Sequence, residues 1–310
     1  MGSLAIVNGD RPLLVNANGT LLRDTPGTTD GDRYYQPIYD DLFSDGGNRD
    51  IFNIFYVNRP SPWGQGNRLR SDGARSRIAR FEDRGSYVLL QGVHLEDEYP
   101  RSGPATISSW TRTVMYLRPG TFVVYDRTAV TDPHLDQWLA FVLAGRPTAA
   151  GAPADGARRY DVVGRSGYAG SVYTVLPVGH VDSAAGFFGG TKCFRLEVRP
   201  GRADRVQQWL TAFDAAPSPC QAATVTPIQA TGEPAGVLVR RAGTGEAVLL
   251  GGEDPADVRY ARPSGPTLNV ITGLRPGATY SVSTGGGRVD VHPGPGMRAS
   301  ASGVITFRTA

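Results

Sequence analysis

The chain has 310 residues, 40 of them Gly and 23 Pro, so about one position in five breaks helices or bends strands, and a helix-rich fold is excluded. Its 32 Lys plus Arg against 29 Asp plus Glu leave a net charge of +3, too small to mark a nucleic-acid binder. A hydrophobic share of 40% supplies a real core at this length and rules out disorder along the whole chain.

From the N-terminus onward, short apolar runs recur between Gly, Pro, Asn and Asp clusters, the pattern of strands and their turns. Strands are expected at 4–7, 13–15, 51–57, 87–90, 114–117 and 122–125. They resume at 172–176, 194–198, 208–213, 236–239, 247–250, 279–282 and 303–307. No stretch reaches the roughly 18 apolar residues of a membrane helix, so no membrane partner is expected. Residues 115–127 read as a hairpin, strand, Pro119-Gly120 turn, strand, and Pro276-Gly277 marks a second turn of the same chemistry.

So many strands with two-residue alternation pack as stacked antiparallel sheets, and the expected fold is all-β: one large antiparallel β-sandwich, supersandwich-like, with few or no helices. Residues 1–310 are read as a single domain with an exposed loop near 144–156, a segment rich in Gly, Ala and Pro. No fixed-period repeat is present, which argues against a propeller or solenoid. Cys193 and Cys220 lie 27 apart; one disulfide and two buried thiols both remain open readings.

None of the compact catalytic or metal signatures occurs, neither a phosphate loop nor CxxC, HExxH or GxSxG, so any site is dispersed and no cofactor or metal is expected. The segment 32–63 is dense in groups that stack on sugar rings or pair with organic anions: Arg33, Tyr34, Tyr35, Arg49 and Trp63 among them. Aromatics in a core with Arg on its rim would look the same. A second cluster gathers Arg80, Asp83, Arg84, Tyr87, His94, Glu96, Asp97, Glu98, Tyr99 and Arg101. Here Tyr and His lie five residues apart beside Arg, the residue types that β-elimination from a uronic acid requires. That reaction needs a base for the C5 proton, a group that neutralises the carboxylate and an acid for the leaving oxygen. The plain alternative is an acidic surface loop between two strands.

The segments Arg80-Phe81-Glu82-Asp83-Arg84-Gly85-Ser86-Tyr87-Val88 and Arg112 through Arg127, with Tyr116-Leu117-Arg118-Pro119 turning into Phe122-Val123-Val124-Tyr125-Asp126-Arg127, resemble the C-terminal β-sandwich of heparinase II/III-like polysaccharide lyases. Gly303-Val304-Ile305-Thr306-Phe307 is similar to the closing strand of that family. The resemblance implies an enzyme of two parts, an α/α toroid followed by this sandwich, with an acidic polysaccharide held between them. The toroid is not in this chain. The resemblance further implies a secreted or periplasmic protein, although no signal is present in the chain.

Two positions depart from the family pattern. Some members bind zinc in the sandwich, and Asp126 matches an acidic ligand of that site, but Trp110 stands where they carry His. No zinc is therefore expected, and Asp126 is expected to pair with Arg127 or a neighbouring strand. Where relatives open an early strand with His-Asn, this chain reads Asp50-Ile51-Phe52-Asn53.

The first reading is thus one wall of a lyase cleft. In it Tyr99 and His94 are the acid and base, Arg101 and Arg112 neutralise a carboxylate, and Arg33, Tyr34, Tyr35, Arg49 and Trp63 bind substrate. The second is a non-catalytic glycan-binding or structural sandwich. A third is a hydrolase using two carboxylates drawn from Asp83, Glu96 and Asp97.

Overall fold

The computed structural model describes residues 6–8, 11–14, 55–57, 75–98, 106–151, 156–164, 167–187, 193–231, 235–251 and 257–310. Their strands form four sheets. A six-stranded sheet runs β1 (Ile6–Asn8), β2 (Arg11–Leu14), β8 (Gln137–Leu143), β13 (Cys193–Arg199), β12 (Val181–Phe187), with β3 (Phe55–Val57) also on β8. An eight-stranded sheet runs β4 (Arg77–Arg84), β5 (Tyr87–Val93), β6 (Ile107–Leu117), β7 (Thr121–Val130), β14 (Val206–Asp214), β11 (Gly167–Leu176), β10 (Arg158–Gly164), β9 (Arg146–Ala149).

A five-stranded sheet follows: β15 (Thr224–Gln229), β16 (Ala235–Arg241), β17 (Thr244–Leu250), β19 (Thr267–Ile271), β23 (Ile305–Thr309). The last sheet has four strands: β18 (Val258–Ala261), β21 (Arg288–Pro293), β20 (Thr279–Ser283), β22 (Met297–Arg298). Among the described residues, helix is confined to the 3-10 turns Leu95–Glu98 and Pro219–Gln221. The all-β sandwich expectation holds.

The sheets stack as four layers because their strands are apolar on the faces that meet. On β7, Val124 points to a core shared with the six-stranded sheet, where it joins Trp110, Trp138, Phe141 and Trp209. Its neighbours Val123 and Tyr125 point the opposite way, into a second core with Val237, Val248 and Val270 of the five-stranded sheet. Alternation of period two thus serves two cores at once. A third core, with Leu249, Ile271, Tyr260, Tyr280 and Val291, joins the five- and four-stranded sheets.

Asp214 on β14 locks the second and third layers together. Its buried carboxylate accepts from Thr121 Oγ1 at 2.8 Å, from the Ala223 amide at 2.8 Å and from Arg241 on β16.

Several details differ from the sequence expectations. The segment read as a loop at 144–156 carries β9, an exposed edge strand paired to β10 through Tyr160↔Ala149 and Val163↔Arg146. Strand β8, QWLAFVL, lacks alternation altogether because all seven residues are buried. Among the described residues one pairing is parallel: β17 and β19 run together, since the chain between them passes through β18 in the next layer. Cys220 is exposed and free, so it forms no disulfide.

Candidate active site

The 3-10 turn after β5 builds the site. His94 takes a left-handed conformation with φ 57°, which L-residues other than Asn, Asp and His seldom adopt. Its carbonyl accepts the Asp97 amide at 3.2 Å, and Leu95, buried in the first core, pins the turn beneath it. The bend sets Glu96 beside the His94 ring. Such backbone persists where its surroundings over-determine it.

His94 Nδ1 lies 3.3 Å from Glu96 Oε1. Glu96 Oε2 in turn accepts the Trp110 backbone amide at 2.9 Å, so the carboxylate is held from behind. The His94 side chain is 39% exposed. Glu96 Oε1 faces Nδ1, and Nε2 has no hydrogen-bond partner among the described residues. A carboxylate-oriented imidazole with one free nitrogen is the arrangement of a general base or acid.

Below this dyad sits a buried ion pair. Arg112 on β6 faces Asp126 on β7 in direct cross-strand register, and Arg112 Nε donates to Asp126 Oδ1 at 2.8 Å. Trp110 Nε1 donates to the same oxygen at 2.6 Å. The guanidinium also lies 5.2 Å from the Trp110 ring centre, and the Phe55 ring packs against the indole at 6.3 Å between centres. Next to the turn, Arg75 closes on Asp97 with Nε at 2.7 Å from Oδ2 and Nη2 at 3.2 Å from Oδ1. The hydrogen bond and the charge of Asp97 raise the Arg75 pKa.

Of the residues expected at the site, His94 and Arg112 are brought into one hydrogen-bonded chain, His94–Glu96–Trp110–Asp126–Arg112. Tyr99, Arg101, Arg33, Tyr34, Tyr35, Arg49 and Trp63 lie outside the described residues. Arg112, expected to neutralise a substrate carboxylate, is 4% exposed and donates to the buried Asp126.

The three carboxylates of the hydrolase reading are each held by their own donors. Asp83 pairs with Arg118, Glu96 with Trp110 and His94, and Asp97 with Arg75. Asp126 pairs with the neighbouring strand, as expected. The groups against it, an indole N–H and a guanidinium, are donors without lone pairs, so the residues present do not fit a zinc ion. Glu96 as partner of His94 follows from the His-x-Glu spacing once the turn is known. The roles of Arg75 and Trp110 carry no local signal.

No family model matches the chain, and no curated protein matches it. Solved structures do. Heparan sulfate lyase HepC from Pedobacter heparinus is 10% identical with a TM-score of 0.48, over 81% of this chain and 36% of that chain. A heparinase III structure is 11% identical with a TM-score of 0.45, over 78% of this chain and 34% of that one. A second heparinase III gives 9% and 0.46, over 77% and 34%. The chain thus spans about a third of the length of the structures it is similar to.

Proposed function

We propose that this chain is the β-sandwich wall of a polysaccharide lyase that cleaves a uronic-acid-containing polymer by β-elimination. The observation that carries the reading is the His94–Glu96 dyad, with Nδ1 on the carboxylate and Nε2 open. The resemblance of the Arg112–Arg127 hairpin to heparinase II/III-like lyases supports it. A helical toroid, in a larger polypeptide or a second chain, supplies the opposite wall, and the protein works outside the cytoplasm, where such polymers occur.

In this reading one of His94 Nε2 and the Tyr99 hydroxyl takes the C5 proton, while Arg101 neutralises the adjacent carboxylate and so acidifies that proton. The C5–H electron pair becomes the C4–C5 double bond, the C4–O bond breaks, and the other group of the pair protonates the departing oxygen. Arg33, Tyr34, Tyr35, Arg49 and Trp63 hold flanking sugar rings by stacking and charge-assisted hydrogen bonds.

The test is incubation of the chain, alone and with a helical toroid partner, with uronic-acid polymers while following ultraviolet absorbance of the unsaturated product. Product should form, and His94→Gln should lower its rate by about 10²–10⁴-fold. No product under either condition removes the lyase assignment. Glycan binding without turnover, abolished by Trp63→Ala, would select the non-catalytic reading.

A further inference from the structure

A cavity of about 450 Å³ opens where three sheets meet, between the β4–β5 hairpin, β22 and the start of β23. Its size falls in the range of small-molecule sites. Val304 and Ile305, both buried, are apolar elements of its lining. The turn that leads into β23 depends on Gly303, whose φ is +70° and where a Cβ would strike the Leu274 carbonyl.

Glu82, on the cavity wall, is fully engaged by the protein. It accepts from the Tyr87 hydroxyl at 2.7 Å, from Arg84 Nε at 3.0 Å and from the Ser300 hydroxyl. Burial alone would raise its pKa, but these three donors together with the charge of Arg84 hold it below the usual carboxylate range. The same carboxylate, after burial itself, drives the Tyr87 pKa up, so that hydroxyl stays protonated.

Two guanidiniums line the cavity, each fastened by Nε alone. Arg84 is fastened to Glu82, and Arg298 to the Gly277 carbonyl at 3.1 Å. Their terminal nitrogens have no hydrogen-bond partner among the described residues. Glu82 offsets one of the two charges, so the lining carries one net positive charge.

We infer that this cavity is a binding site for a hydroxylated organic monocarboxylate, separate from His94. The terminal nitrogens of Arg298, helped by those of Arg84, take the carboxylate. Ser86 and Thr306 of the lining meet ligand hydroxyls, and Met297 meets the carbon skeleton. An inorganic anion leaves most of the volume unfilled, and a neutral sugar leaves the guanidinium forks unpaired.

The site does not use the dyad, and it stands or falls independently of the elimination reading. It is tested by calorimetric titration of the whole chain with sodium glucuronate, glucose serving as the neutral counterpart. Saturable binding of glucuronate is expected, with about tenfold or greater weakening in Arg298→Gln and for glucose. Arg146→Gln removes the same charge from the far edge strand β9 and should leave binding unchanged. Arg298 is exposed, so its variant keeps the parent melting temperature; Arg84→Gln disturbs Glu82 and is the secondary variant. Equal affinity for glucose, an equal loss in Arg146→Gln, or no saturable binding would overturn the inference.

Discussion

Asp126 is the acceptor on which the wall under His94 converges. Its carboxylate is wholly buried and answers a guanidinium that is itself almost wholly buried. The pair need not add net stability over an apolar pair, but removing one member strands the other charge. Asp126→Ala should therefore cost about 3–5 kcal/mol in urea unfolding. Asp126→Asn, which keeps an acceptor for Trp110, should cost less. The sequence placed Asp126 against Arg127 or a neighbouring strand and Arg112 against a substrate carboxylate; the register of the hairpin around Arg118-Pro119-Gly120 sets the two opposite each other instead. That Trp110 shares the oxygen was not legible: its indole reaches Asp126 diagonally, from beside Thr128.

At the scale of elements, the eight- and six-stranded sheets are clasped at one end by a buried cluster spanning β10, β11 and β12. Asp182 Oδ2 accepts from the Tyr160 and Thr174 hydroxyls, each at 2.7 Å, and lies 3.4 Å from His180 Nε2, with Arg158 at 4.0 Å. His180 Nδ1 faces the Pro177 carbonyl at 2.7 Å, an acceptor only, so that nitrogen carries its hydrogen. Burial opposes ionisation of Asp182, but the hydrogen bond and charge of His180, with the two hydroxyls, outweigh it and lower the pKa.

A carboxyl whose folded pKa is depressed stabilises the fold above its unfolded pKa of about 3.9, and that contribution is lost as pH falls through the folded value. Stability should decline with acid below about pH 4. Asp182→Asn should flatten that limb when urea midpoints are followed against pH.

The strands that make this clasp were only partly visible in the sequence. β11 shows as an apolar run, but β10 and β12 mix polar and apolar residues on faces that the sequence does not assign. The strands read most readily were those with one apolar face or a Pro-Gly turn, such as β6 and β7. Among those the sequence did not show is β8, where complete burial erases alternation.

Across the whole molecule, the eight-stranded sheet is an inner layer with apolar residues on both faces. A chain ending at Ala222 would uncover Tyr87, Leu89, Met115, Val123, Tyr125, Tyr173, Val175 and Leu210, which now pack against the five-stranded sheet. Burying one such side chain contributes about 1.5–3 kcal/mol, so the truncated chain should aggregate. Size-exclusion chromatography and binding of a hydrophobic dye would read this; a monodisperse, dye-silent fragment would show that the second core is dispensable. The same layering brings Ser300 to Glu82 across 218 positions and so creates the Arg84–Arg298 cavity.

The sequence by itself determined that the chain is built of strands, where most of them run and where the central hairpin turns. These follow from local alternation and turn chemistry, which act over a few residues. It also contained both members of the His94–Glu96 pair, two positions apart. Only the tertiary structure decided that Arg112 turns inward, that β17 and β19 run parallel and that Arg298 comes to stand near Glu82. Those outcomes depend on which apolar face meets which, a choice made by burial between layers far apart in the chain and not recorded at any one position.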